Sequence, residues 1–241
     1  MNIHFNTIPA TFIHTTRTAG TSFSHWVKDN QTDYQNAPHL DIKKYSSIFP
    51  DYNYAKSLWP ALGTTFAFVR NPYSRLVSLY HYVGEVIEYR ISVYKTSLKD
   101  KIELIDWKTH PHQSDSLISA LADDIKLLEF YNHGFDYWLN SLDTKEIYDH
   151  IRPGSHHLIN SFWAGETQAS WFCGNQIDII IKVENLETEF KQIQSLLNCY
   201  QPFPHINKTK SVDYRNFYNQ NSKQLVEKMF EEDLARFKYK F

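Results

Sequence analysis

The chain has 241 residues, 42% of them hydrophobic and 16% aromatic, and a formal net charge of −2. That composition belongs to a globular protein and excludes a disordered one. The length suits one sizeable domain, and the near-neutral charge excludes the basic footprint of a nucleic-acid binder.

Taken from the amino end, Thr11 to His14 is a short apolar strand candidate. It runs into Thr15-Thr16-Arg17-Thr18-Ala19-Gly20-Thr21-Ser22. Small residues and hydroxyls around Arg17 and Gly20 let the backbone curl around a phosphate-sized anion. Ser22 or Thr21 can then cap a helix over Phe23 to Lys28. The Walker loop GxxxxGK[ST] is absent, so this is not an ordinary ATP phosphate loop. Asn30 to Tyr54 is polar and tyrosine-rich, and a short helix is predicted near Asp41 to Ile48, with His39 at or just before its start.

The stretch Thr64 to Tyr82 carries the strongest signal. Phe66 to Val69 reads as a short buried strand. Asn71 can cap a helix that starts at Pro72, where the missing N–H of proline has no intrahelical partner. Leu76, Val77, Tyr80 and Val83 then recur at helical spacing, which places Ser74 and Ser78 on one face. Arg70 therefore stands at the carboxyl end of a strand, next to a helix amino terminus. A permanent cation, free N–H groups and aligned hydroxyls describe an anion site. Arg17 stands at a second such junction, and ligands of open α/β sheets bind at the carboxyl ends of the strands.

Further along, Ser114 to Phe130 is predicted helical, with Leu117, Ile118, Leu121, Ile125 and Leu128 on one face. Trp107, Trp138, Trp163 and Trp171 supply core or wall residues to this middle region, with one or two available to stack on an acceptor. His110, His112, His156 and His157 lack Cys or carboxylate company at ligand spacing, so no metal site is expected. Cys173 and Cys199 form no disulfide framework and read as buried thiols. Ile177 to Val183 is a buried parallel strand candidate. Glu184-Asn185 at its end can cap the next helix or stabilise the nucleotide side, and reads first as structural. Leu186 to Leu197 and Ser222 to Phe237 read as amphipathic helices on either side of a charged loop, Asn207 to Ser211. No basic segment leading into an apolar core precedes the first strand, so neither signal peptide nor membrane anchor is expected.

Two segments carry a family resemblance. FIHTTRTAGTSF, residues 12–23, is similar to the FxHxPKTGGTS-type 5′-phosphosulfate loop of sulfotransferases that use 3′-phosphoadenosine-5′-phosphosulfate (PAPS). It departs from that loop at Thr16, in place of proline, and at Arg17, in place of lysine. FAFVRNPYSRLVSLYHY, residues 66–82, resembles the 3′-phosphate motif of the same enzymes, and family 2, the carbohydrate and heparan type with its bacterial relatives, is the nearest group. The likeness returns in IDIIIKVENL, HINKTKSVDYRNFY and the terminal FKYKF, and is weak between about Tyr94 and Cys173.

The resemblance implies that Arg70 and Ser78 hold the 3′-phosphate and that Arg17, Thr18, Ala19, Gly20, Thr21 and Ser22 surround the phosphosulfate. It implies that Lys208, Thr209 and Lys210 reach the nucleotide from a closing loop, and that His39 takes the acceptor proton. The expected fold is one three-layer, P-loop-like α/β domain over residues 1–241, a short central parallel sheet flanked by helices, with residues 95–173 shaping the acceptor pocket. The expected activity is cytoplasmic transfer of a sulfuryl group from PAPS, without a metal, to a hydroxyl of a glycan or small molecule. A carbohydrate is the favoured acceptor, although the −2 charge leans against long sulfated polyanions. Two other readings stay open. A non-catalytic nucleotide-binding scaffold would tolerate arginine at the loop lysine position. A P-loop kinase would need a Walker lysine and a magnesium-binding acid, and neither is found.

Overall fold

In the computed structural model the described residues are 2–37, 51–104, 111–150, 165–204, 206 and 213–241. Strands β1 (Ile3–Phe5), β2 (Ala10–Phe12), β3 (Tyr34–Asn36), β4 (Thr64–Val69) and β5 (Ile179–Lys182) form one sheet in the order β3-β1-β2-β4-β5. β4 lies parallel to both β2 and β5, with Phe12 opposite Phe66 and Val69 opposite Lys182. The expected parallel sheet is thus present as its central and right-hand strands. It is incomplete as a description, because β1 pairs antiparallel with β2 and with β3. The reason is local: only four residues separate β1 from β2, and so short a connection can only return antiparallel.

The alternation of β4 sends its side chains to two cores. Phe66 and Phe68 face Phe12, Phe23 and Trp26, the last two from helix α1 (Gly20–Asn30). Phe23 meets both strand rings edge-on, at centroid distances of 5.6 and 5.2 Å, a favoured aromatic geometry. Ala67 and Val69 face the other way, toward Ala55 of helix α2 (Tyr52–Leu58), Trp59, Trp171 and Phe172. Helices therefore cover both faces of the sheet. Trp138 and Trp171 are buried, as expected of core residues, whereas Trp107 and Trp163 lie outside the described residues.

Helix α3 (Pro72–Leu104) runs for 33 residues, far beyond the central helix legible from periodicity. It packs with α4 (Pro111–Asn132) and α5 (Phe135–Asp143) around a third core that includes Leu76, Val83, Ile87, Leu127 and Trp138. Arg90 on α3 and Asp124 on α4 are joined at 2.9 Å, with the carboxylate 1% exposed. Removing one partner of a buried pair leaves an uncompensated charge. Asp124→Ala is therefore expected to cost about 3 kcal/mol in chemical denaturation; an unchanged midpoint would show that the pair contributes nothing.

Two helices expected to be continuous are interrupted. The first is divided into α6 (Leu186–Glu189) and α7 (Lys191–Leu196) at Phe190, whose ring is buried against Trp26 and Phe203. The last is divided into α8 (Gln220–Met229) and α9 (Glu231–Phe237) at Phe230, which leaves helical geometry at φ −121° and is fully buried. Only at Phe230 does the backbone leave the helix; Phe190 keeps helical dihedrals, and its N–H and C=O still bond to the Leu186 carbonyl and the Gln194 N–H, each at 3.0 Å. The helix expected over Asp41 to Ile48 lies outside the described residues. Among the described residues no helix is long and apolar enough to cross a membrane.

Candidate active site at the ends of β2 and β4

The loop after β2 is built by its own threonines. The Thr15 hydroxyl donates to the Phe68 carbonyl at 2.8 Å, tying the loop to β4, and the Thr18 hydroxyl donates to the Thr15 carbonyl at 2.7 Å. Arg17 and Ala19 both take left-handed backbone, at φ 64° and 63°. That conformation strains a residue with a Cβ, and at position 19 the FxHxPKTGGTS-type loop has glycine, so Ala19 is a third departure beside Thr16 and Arg17. Gly20 has a different constraint: a Cβ there would stand 1.9 Å from Nε2 of His14. Hence only glycine lets the helix start so close to that ring.

The helix cap differs from the expectation. Ala19 occupies the N-cap position of α1, and no side chain caps the helix. Thr21 and Ser22 are already inside the helix, so their hydroxyls are not needed there, and the first N–H groups point out of the helix start. The Ser22 hydroxyl instead exchanges hydrogen bonds with the backbone of Ile206 at 3.2 Å. That contact brings the chain immediately ahead of Asn207 to the phosphate-loop side. Lys208, Thr209 and Lys210 themselves lie outside the described residues, as does His39.

The second junction forms as its sequence indicates. Asn71 accepts the N–H of Tyr73 through Oδ1 at 3.1 Å, and α3 begins at Pro72. Ser74 and Ser78 do share a face, and each meets an arginine. Arg70 Nε donates to Ser74 Oγ at 3.0 Å. Arg17 reaches across from the other loop, donating to Ser78 Oγ at 3.0 Å, and its guanidinium lies 4.2 Å from the ring centre of Tyr82.

Arg17 and Arg70 are both half-buried, and among the described residues neither forms an ion pair. Burial, and then the charge of Arg70, push the Arg17 guanidinium down to about 10. Burial likewise lowers Arg70, against the raising influence of Glu184 and Tyr239. Arg17 Nε is buried without a hydrogen-bond partner among the described residues. Two neighbouring cations with spare donors and no bonded carboxylate form a place for an anion.

Several residues of the site were not singled out by the sequence. Arg75, fully buried, donates to the Thr16 carbonyl at 2.9 Å and to the Glu166 carbonyl at 2.8 Å. It thereby holds the peptide that precedes Arg17. Burial above all pushes its guanidinium down to about 10. An arginine between Tyr73 and Leu76 on an apolar helix face was the only available cue. Glu184, expected to cap the next helix, does not do so; its carboxylate instead accepts the Asn71 N–H at 2.7 Å and the Tyr239 hydroxyl at 2.9 Å. The carboxyl-terminal segment adds another tie, with the Lys240 carbonyl accepting from Asn71 Nδ2 at 2.8 Å.

Other candidates stand apart. A cleft of about 390 Å³ between α5 and α8, lined by Asp136, Asn140, Asn219 and Lys228 among others, shares no residue with the arginine site. Among the described residues no group of three His, Cys, Asp or Glu side chains could hold a metal. The histidines 110, 156 and 157 lie outside them. Cys173 and Cys199 are free thiols and only half-buried, less enclosed than their aromatic neighbours suggested.

Paired guanidinium groups thus stand past the carboxyl ends of adjacent parallel strands, each beside a helix amino terminus, in an α/β domain whose five-stranded sheet is flanked by helices. The model of the Sulfotransferase family matches residues 18–240. That range takes in nearly the whole chain, which belongs to family 2 of the sulfotransferases. No curated protein and no solved structure matches it.

Proposed function

We propose that the protein transfers a sulfuryl group from PAPS to a hydroxyl of an acceptor, with a carbohydrate as the favoured acceptor class. The observation that supports this most is the pair Arg17 and Arg70, two cations close enough for the charge of one to act on the other and without an ion-paired carboxylate among the described residues. A nucleotide with a phosphosulfate at one end and a 3′-phosphate at the other offers one anionic group to each. Arg17 and the N–H groups at the start of α1 hold the phosphosulfate, and Arg70 with Ser78 holds the 3′-phosphate.

The reaction forms a bond between the acceptor oxygen and sulfur and breaks the bond from sulfur to the 5′-phosphate oxygen. Adenosine 3′,5′-bisphosphate leaves, and the acceptor proton passes to a base, for which His39 is the proposed residue. Displacements of this kind depend on positioning and electrostatics. The leaving phosphate is a weak base and needs charge stabilisation more than a proton, which a guanidinium supplies.

Calorimetry with two ligands tests the assignment. Arg70→Ala is expected to weaken adenosine 3′,5′-bisphosphate by about tenfold or more, since charge-assisted hydrogen bonds contribute about 1.5–3 kcal/mol. Binding of adenosine 5′-phosphosulfate, which lacks the 3′ group, is expected to change little. Equal losses for the two ligands would remove Arg70 from the 3′-phosphate.

A further inference from the structure

Gln168 stands 98 positions from Arg70 in sequence, yet both ends of its side-chain amide are bonded to the Arg70 backbone. Oε1 accepts the Arg70 N–H at 2.7 Å, and Nε2 donates to the Arg70 carbonyl at 2.8 Å. Arg70 lies one residue beyond the last paired residue of β4, so its peptide groups have no neighbouring strand. The glutamine amide takes the place of that neighbour, offering one acceptor and one donor as a backbone rung does.

The amide is itself oriented by Asp233 on α9, a carboxylate with 0% exposure. Asp233 accepts the backbone N–H groups of Gln168 and Ala169 at 2.7 and 2.8 Å. It also accepts from Gln168 Nε2 at 3.1 Å. Both N–H bonds of the amide are thereby used, one toward Asp233 and one toward Arg70. A reversed amide would set oxygen against carboxylate and N–H against N–H, so the network permits one orientation. Gln168 is fully buried, and among the described residues it bonds to no titratable side chain other than Asp233.

We infer that Gln168 is a positioning residue for Arg70, oriented by Asp233, and that this pair sets the strength with which the protein prefers a 3′-phosphorylated nucleotide. The inference rests on the reading that Arg70 meets the 3′-phosphate. The Arg70 side chain leaves from a Cα whose flanking N–H and C=O are both held by Gln168. Release of those groups to water frees the rotation that aims the guanidinium. Gln168 need not touch the nucleotide to act this way.

The test compares adenosine 3′,5′-bisphosphate with adenosine 5′-monophosphate by calorimetry, and takes the ratio of the two dissociation constants. A ratio is insensitive to the fraction of protein folded, whereas a merely structural role would lower both affinities together. Gln168→Met keeps the side-chain length and removes donor and acceptor. It is expected to reduce the wild-type ratio by about tenfold, with monophosphate binding little changed. Asp233→Asn is expected to move the ratio in the same direction by less. Wild-type protein without any preference for the bisphosphate would overturn the proposed function. A clear wild-type preference that survives Gln168→Met would overturn this inference alone. Should that variant not fold, hydrogen exchange on the wild-type protein decides. The Arg70 amide is expected to exchange about as slowly as that of Phe68, and exchange at the rate of an open turn refutes the anchoring.

Discussion

Arg17→Ala is expected to lower turnover by about two to three orders of magnitude, the scale seen when a donor that stabilises developing charge is removed. Three observations set that scale. Arg17 is the residue of the loop whose guanidinium reaches across to Ser78 on α3. Its Nε is buried without a partner among the described residues. Burial and the charge of Arg70 hold its pKa down to about 10, so it remains fully charged at neutral pH while its charge is poorly solvated. Alanine would inherit the same left-handed backbone at φ 64°, so the comparison isolates the side chain. Arg17→Lys is expected to keep substantial turnover, because lysine preserves the charge and loses only the forked geometry. Single-turnover assays with radiolabelled PAPS and pooled glycan and phenol acceptors would measure both variants. An alanine variant at the wild-type rate would move the electrostatic role elsewhere, to the loop carrying Lys208 and Lys210. A wild-type protein that binds the nucleotide but sulfates nothing in the pool would favour the scaffold reading.

The second large effect concerns His39, which resembles the family's base. His39→Ala is expected to lower turnover by about 10²–10⁴ while affinity for adenosine 3′,5′-bisphosphate is kept. A neutral imidazole accepts the proton, so wild-type activity falls as pH drops through the histidine pKa. The variant is expected to lose that acidic limb. His81 is the comparison to make. It stands one turn beyond Ser78 on α3, its Nε2 is buried without a hydrogen-bond partner among the described residues, and its ring meets Phe217 edge-on at 5.1 Å. If His81→Ala loses both the rate and the acidic limb while His39→Ala does not, the base belongs to α3.

What the sequence determined by itself was the chemistry of two junctions. Strand, turn and helix at each are coded within a few residues: the alternation of β4, the Asn71 cap, Pro72 at the helix start, and serines four apart. Arg17, Arg70 and Ser78 stand out as candidates for that reason, but their bonding partners do not: in the structure Arg17 bonds to Ser78 and Arg70 to Ser74. The small residues of the first loop were legible as a loop, but its capping was not. Two left-handed residues move the helix start to Gly20, in a loop whose Thr15 is tied outside the local segment, to the Phe68 carbonyl.

What only the tertiary structure decided are the interactions between distant parts of the chain. Gln168 and Asp233 look like ordinary polar residues until β4, the segment at 168–169 and α9 meet. Their meaning lies in hydrogen bonds across 98 and 65 positions. Arg75 read as one more helix residue, and its role appears only where the Thr16 and Glu166 carbonyls converge on it. The break at Phe230 accompanies burial of its ring in a core that α3, α4 and α5 also build. A residue's local propensity acts over one or two turns, whereas burial and the pairing of buried polar groups act wherever the fold brings them. The arginines could therefore be found in the sequence, and the groups that aim them could not.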